Sequence, residues 1–318
     1  MKSLDAQLRK MSIADLLAAV DTVDELVARI DGAKKTRPPK DVTVARALEA
    51  RIKALLVEKY AELFDGGTEV AIEAFLQGLR AGDLDAAVDG LVAKYRAALT
   101  PLADAVAAPV GQHLSEMYGL GRELALLESG APAGVSFGLV DEVTLEWLKN
   151  DSHFWVLNHV DKDLGELIAK TAREEALRGG QSIEELGETL RALLGEKYGL
   201  SESYWETVAS SAVNRTRNFA RVRGYGAAEI ETLEILTMGD DAVCDRCEPM
   251  GGRIVSVGKA NKRLDALLDD DDPKAVKEYF PWLKDADQAG GISDREMNSG
   301  KWLPEFHGKC RCTTAPAG

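Results

Sequence analysis

All four cysteines of this 318-residue chain fall after residue 243, as Cys244-x-x-Cys247 and, close to the C-terminus, His307-x-x-Cys310-x-Cys312. Any fold that unites these clusters must carry the end of the chain back across the whole stretch from 248 to 306. Two cysteines three apart can direct both sulfurs at one point from a tight turn, and a second short cluster alongside completes a tetrahedral N/S site for zinc. A disulfide and four buried thiols are the alternative readings. Cys310 and Cys312 are two apart, so a regular strand would point them to opposite faces; both can ligate only if the chain turns there. Five candidates compete for four places. The set is either Cys244, Cys247, His307 and Cys310 with Cys312 packed behind, or all four cysteines with His307 in support. Either set is closed and leaves no position for a reactive water.

Chain length allows two domains, each able to bury a core. Hydrophobic content of 45% with 29% charge is ordinary for a globular protein. A net charge of −14 argues against broad non-specific nucleic-acid binding, because phosphate contacts need clustered Lys and Arg. No apolar run reaches the length of a membrane span, and Met1–Gln7 carries no apolar signal core, so the expected compartment is the cytoplasm. That reducing setting favours metal over a disulfide.

Periodicity predicts an α+β chain: a helical N-terminal module over residues 1–130, and a C-terminal domain over 137–318 of helices followed by a small sheet. Ile13, Leu16, Val20, Val23, Val27 and Ile30 repeat at helical spacing, with Gly32 as a stop. The Lys34–Lys40 stretch, with Pro38 and Pro39, breaks the helix. Val44, Leu48, Ile52 and Leu55 mark a second helix, and further helices are expected at about 69–80, 84–98 and 102–127. Ser129–Ser136 is small, Gly/Pro-rich and uncharged, and is the expected domain boundary. Capping boxes at Ser182/Glu185 and Ser203/Glu206 predict two further helix starts. Leu233, Ile235 and Thr237 then alternate with Glu234, Leu236 and Met238 as in a strand, with more strands expected at Arg253–Val257 and Cys310–Thr314. The Cys244/Cys247 pair falls in the turn between the first two strands. Asp269–Asp272 reads as a solvated loop.

Catalytic signatures are absent from the sequence. The deaminase H-x-E pairing, the H-E-x-x-H metalloprotease motif, the phosphate-binding loop and the G-x-S-x-G elbow do not occur. Of the four histidines, His153 and His159 sit beside Phe154 and Trp155 in a helical stretch and read as packed or exposed helix residues rather than as a general base. Arg215, Arg217, Arg221 and Arg223 form the densest basic cluster. They are candidates for contact with DNA or a protein partner; the simpler reading is salt bridges to acids such as Glu206 and Glu229. Asn214 and Asn218 read as helix-packing residues.

Taken in order, Asn214-Arg-Thr-Arg-Asn218, Leu236–Asp241, Cys244-Asp-Arg-Cys247, Gly251-Gly-Arg253 and His307-Gly-Lys-Cys-Arg-Cys312 resemble the phage Mu F-like head morphogenesis family. The likeness covers residues 150–318 and sets Lys259–Leu303 apart as a variable insertion. Many members carry Pro after the motif histidine, where this chain has Gly308, and an aromatic near position 236, where it has Leu236; neither change touches a candidate ligand. The resemblance implies a minor head protein of a phage or prophage that binds portal and capsid proteins and assists head assembly or DNA delivery. It would occupy the host cytoplasm during assembly and then the virion head, with packaged DNA touched at most through a local basic patch. Two other classes stand beside it: an enzyme or toxin-type effector carried by such a domain, and a DNA-binding module built on the arginine helix.

Overall fold

The computed structural model describes residues 41–131, 136–178, 180–237, 244–270 and 272–317. The Ile13–Ile30 stripe and the Pro38-Pro39 breaker lie outside these residues. Six longer helices come first: α1 (Asp41–Arg80), α2 (Leu84–Leu99), α3 (Pro101–Glu128), α4 (Leu139–Asn158), α5 (Gly165–Arg178) and α6 (Ile183–Ala227). A wide π-type turn, His159–Leu164, joins α4 to α5. Then follow β1 (Thr232–Leu236), β2 (Ile254–Ser256), α7 (Val257–Leu268), the short helices α8 (Val276–Tyr279), α9 (Ala286–Gly291) and α10 (Asp294–Met297), and β3 (Thr313–Pro316). The fold is α+β, as the periodicities predict.

Local chemistry sets several of these boundaries. Asp83 caps α2 by accepting the Ala86 amide at 2.9 Å. The box at Ser182 forms in full: its amide donates to Glu185, and its hydroxyl accepts the Glu185 amide. The matching pattern at Ser203 and Glu206 starts nothing, because α6 is already running there, and the Ser203 carbonyl accepts the Thr207 hydroxyl instead. An established helix extends one hydrogen bond at a time, so a second start signal inside it is overridden.

Contacts group the chain into two compact units along lines other than the 1–130 and 137–318 division. Among the described residues, one unit takes Asp41–Ile52, Gly111–Asp151 and the chain from Ala209 on; the other takes Lys53–Val110 and Ser152–Val208. The linker is visible as composition, whereas this grouping depends on long-range packing: α1, α3, α4 and α6 each supply residues to both units.

In the all-helical unit, Tyr60, Phe64, Tyr95 and Trp205 form an aromatic chain with ring centroids 5.4 Å apart. The Tyr95 hydroxyl donates to Thr68 at 3.0 Å, which satisfies the one polar atom this ring buries. His159 stacks on Tyr204 at 3.6 Å, and burial depresses its basicity against the pull of Asp163. His153 faces Asp104 at 3.0 Å. His159 is a packed helix residue and His153 a partly exposed one, the two settings their stretch of sequence suggests.

The other unit carries the sheet. Strand order is β2-β1-β3, antiparallel throughout, with Leu233 opposite Val255 and Ile235 opposite Thr314. Leu233 and Ile235 are fully buried while Thr232, Glu234 and Leu236 are half-buried, which matches the alternation of a sheet with one face on the core. Residues 259–303 are part of that core rather than a loop thrown out from it: Leu264, Leu267, Val276, Phe280, Ile292 and Trp302 are all buried there. Asp269 and Asp272 are exposed, as a solvated loop requires. No helix among the described residues is long and apolar enough to cross a membrane.

Candidate metal centre

Cys244 and Cys247 occupy the turn after β1. The Cys247 and Glu248 amides both donate to the Cys244 carbonyl, at 2.9 and 3.1 Å, which closes a knuckle that brings the two thiols to one side. The chain leaves through a short 3-10 turn, Glu248–Met250, and a Gly251-Gly252 corner. Gly252 needs its lack of a side chain, because its φ is 78°. There its amide donates to the Ile235 carbonyl and resumes the β1–β2 pairing.

The second cluster arrives on a turn, not a strand. The Cys310 amide donates to the His307 carbonyl at 3.1 Å, Lys309 adopts a φ of 65°, and β3 starts only at Thr313. The strand expected at Cys310–Thr314 is therefore displaced toward the C-terminus. The displacement resolves the geometric difficulty of two cysteines two apart, since both can now face the same region.

All five candidates come together. The His307 Nε2 lies 3.0 Å from the Cys244 sulfur and 3.2 Å from that of Cys247, and the Cys247 and Cys310 sulfurs are 3.8 Å apart. The donor atoms form two groups that share Cys247: Cys244, Cys247 and His307 in one, Cys247, Cys310 and Cys312 in the other, each within 4.8 Å. A tetrahedral ion with bonds of about 2.3 Å to sulfur has sulfur–sulfur edges of about 3.8 Å, so the Cys247–Cys310 spacing already fits. All four cysteines are free, and no disulfide joins them.

The protonation pattern suits a ligand set. His307 Nδ1 lies 2.6 Å from the Gly308 carbonyl oxygen, which can only accept, so Nδ1 carries the proton and Nε2 offers its lone pair to the cluster. Hydrogen bonds with Cys310 and Cys312, reinforced by burial, push the Cys247 thiol up. Burial works against ionising Cys310, but the bonds it receives from Cys247 and Cys312 outweigh burial and hold it well below the usual thiol range. The three close sulfurs are thus split, Cys310 toward thiolate and Cys247 and Cys312 toward thiol.

Helix α6 anchors the C-terminal turn. Arg217, 1% exposed, donates to the carbonyls of Arg311 and Cys312 at 3.1 and 2.9 Å, and Asn218 adds a bond to the Cys312 carbonyl at 3.2 Å. Asn214 donates to Glu49 at 2.6 Å and to the Ser210 carbonyl. Asn214 ties α6 to α1, as a helix-packing residue does, whereas Asn218 bonds the Asn214 carbonyl of its own helix and holds the C-terminal turn at Cys312. Next to Asn214, Arg215 bridges Asp151 and Glu305, whose own carboxyl is pushed up to about 7 by burial against the pull of Arg215.

The arginine cluster therefore faces inward. Arg215, Arg217, Arg221 and Arg223 are 6%, 1%, 0% and 7% exposed. Arg221 pairs with Asp41 and Glu128 and donates to the Thr314 carbonyl; Arg223 pairs with Asp265. Salt bridging holds for Arg215, Arg221 and Arg223, with Asp41, Glu128, Asp151, Asp265 and Glu305 as the acids in place of Glu206 and Glu229, while Arg217 bonds backbone carbonyls. Guanidiniums enclosed in this way are not presented to a DNA backbone at the surface. Glu49 is the residue the sequence did not single out. Half-buried beside Asn214, it has its carboxyl pushed up to about 7 by burial, offset in part by Arg217 and by the Asn214 bond.

Comparison with known proteins returns no matching family model, no curated relative and no solved structure.

Proposed function

We propose that the five-residue cluster holds one structural zinc and that the chain is a minor head protein of a tailed phage or prophage, with no turnover of its own. Cys247 would serve with three of Cys244, His307, Cys310 and Cys312. When bound, the ion supplies a cross-link of about 10 kcal/mol in folding terms, as structural zinc does in small domains. The observation that carries this reading is the closure of the cluster. Cys247, Cys310 and Cys312 are buried, and protein donors suffice to fill a tetrahedron, so no place remains for an activated water.

The head-protein assignment rests on the ordered motifs from Asn214 to Cys312 and is supported by the roles those residues take. The Asn-Arg-Thr-Arg-Asn run grips the turn that carries Cys-Arg-Cys, so motifs far apart in sequence meet at one place. The partners are portal and capsid proteins, reached through protein surfaces in a chain of net charge −14. Co-expression with the portal gene of the same locus, followed by pull-down, tests the assignment. Retention of portal or capsid protein supports it. No association, together with a defined turnover abolished by one substitution, moves the chain to the enzyme class.

A further inference from the structure

The described chain begins at Asp41, and it begins inside the sheet-bearing unit. Asp41 is 0% exposed and pairs with Arg221 at 3.0 Å. From Arg221 to the end of α6 at Ala227 is about 9 Å of helix. Near that end, α4 starts with an apolar face turned to solvent. Phe137, Leu139, Val140 and Val143 are 45%, 73%, 54% and 46% exposed, and they make up half of the large apolar side chains exposed among the described residues. Leu139, Val140 and Val143 fall within an arc of about 100° on the helix, so they form a patch rather than scattered singles.

A cavity of about 380 Å³ opens beside Val140, between the start of α4 and the end of α6. Its polar walls are already bonded to one another, Arg122 to Asp141 and Arg223 to Asn261, both at 2.9 Å. Val140, Gly226, Ala227 and Gly258 supply the rest and ask for no polar ligand. Face and cavity together suit apolar side chains on a short stretch of chain.

The sequence supplies such a stretch. Ile13, Leu16, Val20, Val23, Val27 and Ile30 repeat at helical spacing, ahead of the point where the described chain begins. An amphipathic stripe of this length gains its stability from an apolar partner. The residues 31–40 that join it to Asp41 can reach up to about 33 Å, several times the run of α6 from Arg221 to its end. A tether this short also holds the segment at an effective concentration on the order of 1 mM, so weak intrinsic affinity is enough.

We infer that the apolar stripe of residues 13–30 docks in cis on the face made by Phe137, Leu139, Val140 and Val143, with a side chain entering the cavity beside Val140. The tether favours this chain's own segment over a second copy or a separate protein. The inference rests on neither the zinc site nor a role in phage heads.

The test is photo-crosslinking of the full chain carrying Leu139→benzoylphenylalanine, a position exposed enough to accept the larger ring. Irradiation should give a product of monomer size, with the cross-link mapped by mass spectrometry to residues 13–30. Its yield should stay the same on dilution from about 50 to about 1 µM, because a tethered partner is not diluted. Val23→Glu with Val27→Glu puts two charges into the stripe and alters none of the described residues; it should lower the yield at least about tenfold. Val143→benzoylphenylalanine should give the same product and keeps the test decisive if the first variant folds poorly. A cross-linked dimer whose yield falls on dilution would assign the face to a second copy and overturn the inference. Capture elsewhere in the chain, no capture from either position, or equal yield with and without the two glutamates would overturn it as well.

Discussion

The two units keep their charges in different places. In the all-helical unit several cross-helix ion pairs are at the surface, among them Arg191 with Glu69, Arg173 with Asp85, and Arg80 with Glu184, each partner at least 43% exposed. Its interior is aromatic and aliphatic. In the sheet-bearing unit Arg215, Arg217 and Arg221 are inside, bonded to acids and carbonyls beside a cluster of thiols. Surface pairs contribute little, while a buried pair is expensive to half-remove. The contrast teaches that the first unit is held by packing that tolerates change, and the second by directional contacts that fix the C-terminal turn.

Metal removal should separate the units most strongly. Chelation, or Cys247→Ser, is expected to destabilise the sheet-bearing unit by on the order of 10 kcal/mol in folding terms, and hydrogen exchange should show protection lost first at 244–256 and 307–316. Equal loss of protection in the all-helical unit would break the comparison.

Next in size is Arg221→Met, which strands Asp41 at 0% exposure. About 3–5 kcal/mol should be lost in denaturant unfolding. Adding Asp41→Asn to that variant should recover part of it; a double mutant no better than the single would show that the ion pair is not the cause.

A smaller effect comes from Glu49, whose pKa rises from 4.5 to about 7 on folding. The folded state holds this proton after the unfolded chain has released it, so the associated stability is present below pH 4.5 and is lost as pH rises toward 7. The difference between wild type and Glu49→Gln should change by about 3 kcal/mol over that window. A flat difference would place Glu49 in an ordinary solvated setting. The smallest effect is expected in the all-helical unit, where Arg191→Ala should cost less than about 1 kcal/mol.

Much of this was legible in the sequence, for reasons that particular residues make plain. The helix at Ser182 announces itself through a capping box that needs only local atoms, and the period-2 run at Leu233–Ile235 through burial of one sheet face. The five metal candidates were legible because C-x-x-C and H-x-x-C-x-C are short and chemically distinctive. What stayed hidden depends on distance along the chain. Asp41 is 180 residues from Arg221, and Glu305 is 90 from Arg215, so no spacing rule links them. The Ser203 start signal misleads for the converse reason, being locally correct inside a helix already begun. A signal for the inward arginines was present in Val213, Phe219 and Val222, apolar neighbours on the same helix that are all buried.

The claim that a metal joins the two clusters is tested most directly by metal analysis of the purified full chain combined with X-ray absorption at the zinc edge. The account predicts one zinc per chain, four-coordinate, with three or four sulfurs near about 2.3 Å and at most one nitrogen. A chain free of metal, with Cys244 or Cys247 in a disulfide after purification under reducing conditions, would contradict it.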